Sequence, residues 1–219
     1  MAIRKDPLVT GQYYHIINRS IAGYKIYNRN YEYRRFLESM VYYQSPKSLL
    51  KFSRYLELSE KNKQKVLFKQ TDQIIDIVAH CIMPTHFHLL LKQNTDNGIT
   101  KYLFNIKNSY SHYFNCRYKR KGPLWESKFK NIRVKTDEQL IHLTRYIHLN
   151  PTSADLVKKP QDWQWSSYHE YLNGEENICQ YKDIIDTSPQ EYKKFVLDRK
   201  DYQREISKIK VLLLDYYTG

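Results

Sequence analysis

The strongest constraint on the fold lies between residues 73 and 92. Residues 73–82, QIIDIVAHCI, form an almost unbroken apolar and β-branched run, which is typical of a strand in the middle of a sheet. A turn at Met83, Pro84 and Thr85 is followed by residues 86–92, HFHLLLK, which have the composition of a second strand. The two runs together predict a β-hairpin in the core of the domain.

Two histidines interrupt the second strand of this hairpin. Side chains two residues apart on a strand point to the same face, so His86 and His88 project together, whereas Phe87, Leu89 and Leu91 face the core. Two imidazoles side by side can share a metal ion, but each could also satisfy a local hydrogen bond. The spacing alone leaves both interpretations open.

A zinc site is a third interpretation, because His80, Cys81, His86 and His88 are all of residue types that bind zinc. It is disfavoured because His80 and Cys81, adjacent on one strand, point to opposite faces. The sequence also offers no second Cys/His cluster that would complete the shell. The three cysteines of the chain are widely spaced and odd in number, which predicts reduced thiols.

A helix predicted to begin after Thr136 carries further reactive groups. Thr136 can cap it, Gln139 completes a T-x-x-Q capping box, and Pro151 is expected to end it. Its buried stripe consists of Leu140, Leu143 and Ile147, and an adjoining stripe of His142, Tyr146 and Asn150. Asn150 offers a carboxamide oxygen suited to a hard divalent cation, and Tyr146 offers a hydroxyl that becomes a nucleophile once deprotonated.

The rest of the chain predicts a mixture of strands and helices. Its patterns indicate a strand in 11–20, a helix in 30–44, a long amphipathic helix after 98, a strand before 136, and helices in 162–172 and 188–219. Residues 45–72 contain a lysine-rich stretch and are interpreted as a solvated insertion. The predicted organisation is a domain at 1–172 followed by a helical C-terminal extension at 173–219.

The composition indicates a polyanionic partner. There are 36 Lys and Arg against 23 Asp and Glu, a formal charge of +13 that is spread along the chain, and such a field attracts phosphates. The best phosphate-binding candidates are Arg117, Lys119, Arg120 and Lys121, although such a run can also be a merely solvated surface. Because we find no apolar stretch of about 20 residues and no signal peptide, we expect a cytoplasmic protein without membrane contact.

Four motifs carry a family resemblance. YYHIINRS, MPTHFHLLLK, GPLWESKFK and LTRYIHLNP occur in this order between about residues 11 and 172. Together they resemble the REP-associated tyrosine transposases, which are IS200-like transposases of the HUH single-strand nuclease superfamily. The resemblance implies an α+β, ferredoxin-like domain in which helices pack against a central antiparallel sheet.

The same resemblance implies a chemistry. His86, His88 and Asn150 match the residues that bind a divalent ion, Mg²⁺ or Mn²⁺, and Tyr146 matches the nucleophile. The implied reaction is nicking and rejoining of single-stranded or hairpin DNA through a 5′-phosphotyrosine. His142, one turn before the nucleophile, is a candidate proton acceptor, although it can also be an ordinary surface residue.

Other assignments stay open at this stage. Tyr110 and Tyr113 are less suited as nucleophiles, because the long helix aligns them with its apolar stripe. One alternative function is a catalytically inactive binder of single-stranded nucleic acid, and another is a metal-dependent nuclease that activates water while Tyr146 is structural. The sequence specifies neither the target DNA nor whether the chain acts as a monomer or as a homodimer.

Overall fold

The fold is described by a computed structural model that covers residues 7–46, 50–69, 72–126 and 128–198. Its strands are β1 (Tyr13–Arg19), β2 (Ile75–Met83), β3 (His86–Gln93) and β4 (Lys130–Val134). Its α-helices are α1 (Asn30–Tyr42), α2 (Phe52–Leu56), α3 (Glu60–Phe68), α4 (Gly98–Arg117), α5 (Asp137–Ser153), α6 (Tyr168–Asn173) and α7 (Pro189–Leu197). Short 3-10 turns lie at Ile21–Gly23 and Pro160–Asp162.

The four strands form one antiparallel sheet in the order β2-β3-β1-β4. The predicted hairpin is confirmed as β2 and β3, which pair from Met83 opposite His86 onward. On the other side of β3, His88 lies opposite Ile17 of β1, and His86 lies opposite Arg19. Directly opposed residues share a face of the sheet, so this register decides which side chains accompany the two histidines.

Helices cover the sheet on both faces. On β3, Phe87 contacts Phe36 of α1 with 5.2 Å between ring centroids, and the hydroxyl of Tyr102 in α4 donates to the carbonyl of Met40 in α1 at 3.2 Å. The next residue of β3, His88, points the opposite way, and its ring contacts Tyr146 of α5. Thus α1 and α4 lie on one face and α5 on the other, and the predicted α+β class is confirmed.

The edge strand β2 is covered by a later part of the chain. The backbone N–H of Ile82 donates to the carbonyl of Trp165 at 2.9 Å, and that of Ser167 donates to the carbonyl of His80 at 3.0 Å. A bridge between Cys81 and Ser166 joins the same two segments. Residues 165–167 therefore extend the sheet beyond β2.

The start of α5 agrees with the predicted cap. The hydroxyl of Thr136 accepts a hydrogen bond from the backbone N–H of Gln139 at 3.1 Å. The side chain of Gln139 reaches back to the backbone N–H of Lys135 at 3.0 Å, one residue before the position that a capping box predicts.

The predicted end of α5 is wrong. The helix runs through Pro151, which is buried, and ends at Ser153. A proline in the last turn removes one N–H from the hydrogen-bond ladder, but the ladder resumes where Ala154 donates to the carbonyl of Asn150 at 3.0 Å. Asn150 consequently lies inside a regular helical turn.

The described part of the C-terminal region packs on α5. The hydroxyl of Tyr192 in α7 lies 2.9 Å from the hydroxyl of Thr144 and 2.8 Å from Nδ1 of His148. Arg145 stacks over Phe195, with 4.8 Å from the guanidinium carbon to the ring centroid. The boundary at 172/173 stays a prediction, and the part of the predicted helix in 199–219 lies outside the described residues.

Two other predicted segments differ in detail. The predicted helix in 162–172 is α-helical from Tyr168 onward. The predicted insertion at 45–72 contains α2 and α3, and Phe52 and Tyr55 of α2 form a small aromatic cluster with Tyr42. Lys63 of α3 pairs with Glu38 of α1 at 2.7 Å. The segment is therefore folded against α1, and its status as an insertion stays a prediction.

Candidate active site

The sheet and α5 bring the predicted strand and helix residues together. His86 and His88 project from the same face of β3, with 5.0 Å between ring centroids. The ring of Tyr146 lies edge-on to His88 at 5.8 Å. A phenol from α5 therefore lies edge-on to one imidazole of the predicted pair.

The sequence analysis missed a third imidazole in this cluster. His15 of β1 stacks on His88 with 5.3 Å between ring centroids, and Tyr146 lies edge-on to His15 at 6.1 Å. Within YYHIINRS, strand alternation separates His15 from Tyr14 and Ile16, which face the core. This alternation predicts that His15 faces away from Tyr14 and Ile16. Its contact with His88 depends on the pairing of β1 with β3.

Each histidine of the predicted pair is oriented through its Nδ1 atom. Nδ1 of His86 lies 2.9 Å from the hydroxyl of Thr85, and Nδ1 of His88 lies 3.1 Å from Nε2 of His15. Histidines that bind metals usually engage the second ring nitrogen in this way, which fixes the ring and its tautomer. Nε2 is consequently the atom through which either residue would bind an ion.

The cluster is graded from the interior to the surface. His15 and His88 are fully buried, and Tyr146 is 7% exposed. His86, near the hairpin turn, is half-buried, and so is Arg19, which faces it across the β1–β3 pair. Solvent and any anionic ligand therefore reach the cluster most directly at the His86 end, where the cationic residue Arg19 also lies.

Asn150 occupies the turn of α5 that follows Tyr146. Its amide nitrogen donates to the carbonyl of Tyr146 at 3.1 Å, and the residue is 9% exposed. The carboxamide oxygen is the atom that could bind a cation. Two imidazole nitrogens and one amide oxygen make a donor set that suits a divalent metal ion, so the residues present fit the group that the resemblance implies.

His142 lies on the side of α5 that meets α7. Its ring is half-buried and packs against Phe195, with 5.3 Å between ring centroids. Among the predicted site residues, the ring of His88 contacts those of His86 and Tyr146. The side chain of Asn150 is hydrogen-bonded to the backbone carbonyl of Tyr146. The role of His142 as proton acceptor stays a prediction.

The four predicted phosphate-binding residues lie in and after the last turn of α4. Arg117 stacks over the ring of Tyr31 at 4.2 Å. Arg120 donates to the carbonyl of Pro123 at 2.7 Å, so this guanidinium also stabilises the turn. Lys119 and Lys121 are exposed.

The chain that follows these four residues returns to the end of the sheet where His86 lies. The backbone N–H of Glu126 donates to the carbonyl of Arg19 at 2.9 Å. Trp125 forms a bridge with Ser20, the residue after β1. The basic turn, formed by Arg117, Lys119, Arg120 and Lys121, is therefore connected by a few residues to the solvent-accessible side of the imidazole cluster.

Comparisons with known proteins find similar sequences and a similar fold. The family described as "Transposase IS200 like" matches residues 52–150, which include both histidines of the pair, Tyr146 and Asn150. A curated protein of Haemophilus influenzae, "Putative REP-associated tyrosine transposase", is 28% identical over 128 residues. The chain is similar to proteins named REP-associated tyrosine transposases. The match to the Haemophilus protein covers 52% of this chain and 72% of that protein.

Two further comparisons extend this relationship. The REP-associated tyrosine transposase of Escherichia coli is 24% identical over 109 residues, which is 49% of this chain and 62% of the bacterial protein. The solved structure titled "Structure of the REP associates tyrosine transposase bound to a REP hairpin" aligns with a TM-score of 0.54 and 18% identity. It covers 86% of this chain and 96% of that one, which shows a shared fold.

The helices of the described residues are not built to cross a membrane in length or in composition. Within residues 7–46, 50–69, 72–126 and 128–198, none has the length and apolar character needed to span a bilayer.

Proposed function

We propose that this protein nicks and rejoins single-stranded DNA, with Tyr146 as the nucleophile and a divalent ion as the cofactor. The observation that carries the proposal is the edge-on contact of Tyr146 with His88 and His15, at 5.8 and 6.1 Å between ring centroids. A tyrosine with only a structural role could pack equally well against apolar side chains. Kinship with proteins named tyrosine transposases supports the same assignment.

The proposed reaction is a transesterification at phosphorus. The phenolic oxygen of Tyr146 attacks the scissile phosphate in line, and the bond to the upstream 3′ oxygen breaks. The phenolic proton is transferred to a base, and the departing 3′ oxygen takes up a proton from a general acid or from water. The products are a 5′-phosphotyrosine and a free 3′-hydroxyl. Because one phosphoester replaces another, a 3′-hydroxyl can reverse the step and rejoin the strands without ATP.

The residues around Tyr146 have separate proposed roles. His86, His88 and Asn150 would hold the ion, which when bound neutralises charge on the scissile phosphate. His142 is the proposed acceptor of the phenolic proton, one turn before the nucleophile. A test of His142 is the pH dependence of cleavage in His142→Gln, because a structural histidine would leave that profile unchanged.

His15 is a proposed positioning residue in this reaction. For Nε2 of His88 to bind an ion, the proton of that ring must reside on Nδ1, which then donates to Nε2 of His15 across 3.1 Å. The neutral His15 ring that accepts this bond carries its own proton on Nδ1. His15 would therefore select the tautomer of His88 that is able to bind metal.

The proposed substrate is a DNA hairpin with a single-stranded flank. The formal charge of +13 and the basic turn at Arg117, Lys119, Arg120 and Lys121 support a polyanionic partner. Arg19, opposite His86, supports phosphate binding at the accessible end of the cluster. A relative of the same fold was solved in complex with a REP hairpin, according to its title.

The arrangement also bears on whether a dimer is required. Tyr146 contacts imidazoles of its own chain. This supports a tyrosine that acts in cis, and we propose a reaction that one chain can complete. An active homodimer that exchanges α5 remains the competing arrangement, and cleavage by a mixture of Tyr146→Phe and His88→Ala chains would reveal it.

The deciding experiment uses one hairpin oligonucleotide labelled at either end. After incubation with Mn²⁺, the 3′ label should migrate with the protein on a denaturing gel, because the downstream fragment carries the phosphotyrosine. The 5′ label should appear in a short free fragment. Chelation of the metal should abolish both products.

Variants separate the alternatives in the same gel. Tyr146→Phe should form neither product, whereas Tyr110→Phe should form both. Free cleavage products from Tyr146→Phe would instead support a nuclease that activates water. A retarded band on a native gel without any cleavage by the unsubstituted chain would support a binding module.

A further inference from the structure

A second cluster of metal-binding residue types lies at the edge strand β2. One ring nitrogen of His80, one carboxylate oxygen of Glu170 and the sulfur of Cys179 all lie within 4.8 Å of one another. The three residues come from β2, from α6 and from the segment before α7. All three are buried, with exposed fractions of 2%, 8% and 0%.

The His80 ring, which belongs to this cluster, has a buried polar atom without a hydrogen-bond partner. Its Nδ1 is buried and has no hydrogen-bond partner, although the residue's backbone N–H donates to the hydroxyl of Ser167 at 2.9 Å. A neutral imidazole with an uncompensated buried nitrogen is the form that binds a metal ion.

Glu170 brings the cysteine to this position. Its Oε2 atom accepts hydrogen bonds at 3.0 Å from the backbone N–H groups of Asn177, Ile178 and Cys179. These bonds fold the chain tightly after α6 and hold the Cys179 backbone next to the carboxylate. The Oε1 atom takes no part in them and is the oxygen that could bind an ion.

The donor set indicates which metal would bind. A thiolate with an imidazole and a carboxylate favours Zn²⁺ over the Mg²⁺ or Mn²⁺ that suits an amide oxygen. Zinc–ligand distances of about 2.0–2.3 Å place ligand atoms somewhat closer together than 4.8 Å, so a small inward movement suffices. A divalent ion with one thiolate and one carboxylate is neutral overall, which lowers the cost of burying it.

We propose that His80, Glu170 and Cys179 form a structural zinc site that fastens the chain after α6 to the edge of the sheet. On binding, the Cys179 thiol releases its proton to solvent and the thiolate binds the ion. Water would complete the tetrahedral shell. The site is separate from the imidazole cluster, and it stands or falls independently of the proposed DNA chemistry.

The site can be tested with Co²⁺ as a spectroscopic probe of the full-length chain. Protein stripped with a chelator is titrated with Co²⁺ while its absorption spectrum is recorded. We expect one equivalent to produce a thiolate-to-cobalt charge-transfer band together with the intense visible bands of tetrahedral cobalt. The imidazole cluster contains no sulfur, so an ion bound there cannot produce the charge-transfer band.

Cysteine variants locate the sulfur that binds. Cys116 is exposed and its sulfur lies 3.3 Å from Nδ1 of His112, which makes it the main competitor. The charge-transfer band should disappear in Cys179→Ser and persist in Cys116→Ser. His80→Gln should weaken Co²⁺ binding at least about tenfold, since even the loss of a residue that only orients a metal ligand has an effect of this size.

Two results would overturn the proposal. One is the absence of a charge-transfer band in the unsubstituted chain, which needs no variant to interpret. The other is persistence of the band in Cys179→Ser. Circular dichroism of each variant checks that it is folded, and a zinc-dependent rise in the melting temperature of the unsubstituted chain provides a measurement independent of any substitution.

Discussion

Two buried tyrosines on opposite faces of the sheet have different surroundings. Tyr110 of α4 is 1% exposed, packs among aromatic rings, and donates to the carbonyl of Ile26 at 2.6 Å. Burial raises the pKa of Tyr110 far above its ordinary value, so its phenol stays protonated. Tyr146 of α5 is 7% exposed but lies against two imidazoles. Similar burial therefore accompanies a structural phenol on one face and a candidate nucleophile on the other.

The difference between the faces originates in a single strand. Along β3, Phe87 and Leu89 face α1 and α4, and His86 and His88 face α5. A change of register by one residue would exchange the two sets. The chemical character of each face is thus fixed by strand pairing, and substitutions on opposite faces should have separable effects.

The largest expected effect follows from Tyr146→Phe. Loss of the proposed nucleophile should reduce the rate of covalent adduct formation by at least about a thousandfold. The ring and its contacts with the imidazoles are kept, so stability should change by about 1 kcal/mol or less. Single-turnover assays on labelled hairpin DNA and urea unfolding measure the two quantities.

His15→Phe should have the next largest effect. The substitution keeps a buried aromatic ring but removes the partner of Nδ1 in His88, so we expect a loss of about 10- to 100-fold in apparent metal affinity or rate. Cleavage measured against Mn²⁺ concentration should show a raised requirement for metal.

A matched control for His15 lies next to it on the other face of β1. Ile16→Val should cost about 1 kcal/mol of stability, as deletion of one buried methyl group does. Its Mn²⁺ dependence should match that of the unsubstituted chain. An unchanged metal requirement in His15→Phe would show that His15 does not orient His88.

Neutralising the basic turn should have a smaller effect. The double substitution Lys119→Gln and Lys121→Gln should weaken DNA binding several-fold and reduce the slope of log affinity against log salt by roughly 0.7 for each lost phosphate contact. Fluorescence anisotropy over a salt series measures this slope. Lys61→Gln with Lys65→Gln, two exposed positions of α3, removes the same charge elsewhere and should leave the slope nearly unchanged.

The smallest effect on activity is expected for Tyr110→Phe. This variant should cleave DNA normally but lose about 1–3 kcal/mol of stability, because the buried carbonyl of Ile26 loses its donor. Urea unfolding and the cleavage assay together test the comparison between the faces. A Tyr110→Phe protein that is folded but inactive would contradict it.

Local patterns were sufficient to predict the parts that depend on neighbours in sequence. Alternation in residues 86–92 predicts the shared face of His86 and His88, and helical spacing predicts that Tyr146 and Asn150 lie one turn apart. The cap at Thr136 is likewise local. The predicted stop at Pro151 failed because the penalty of one lost hydrogen bond is small in the last turn of a packed helix.

The missed residues depend on long-range pairing. His15 meets His88 because β1 inserts between β3 and β4, and the two residues are separated by 73 positions. Cys179 approaches His80 because the chain after α6 folds back on β2. No periodicity in the sequence encodes either approach, which explains why the sequence contained no visible partner for His80.

The covering of β2 by residues 165–167 has a consequence for self-association. A sheet with two unpaired edge strands could pair with strands of other copies and form aggregates. Here the β2 edge is paired with the backbone of residues 165–167 of the same chain. In the described part of the chain the sheet ends at the five-residue strand β4, which carries Lys130 and Arg133. Short length and like charges on this remaining margin should discourage stacking of copies at high concentration.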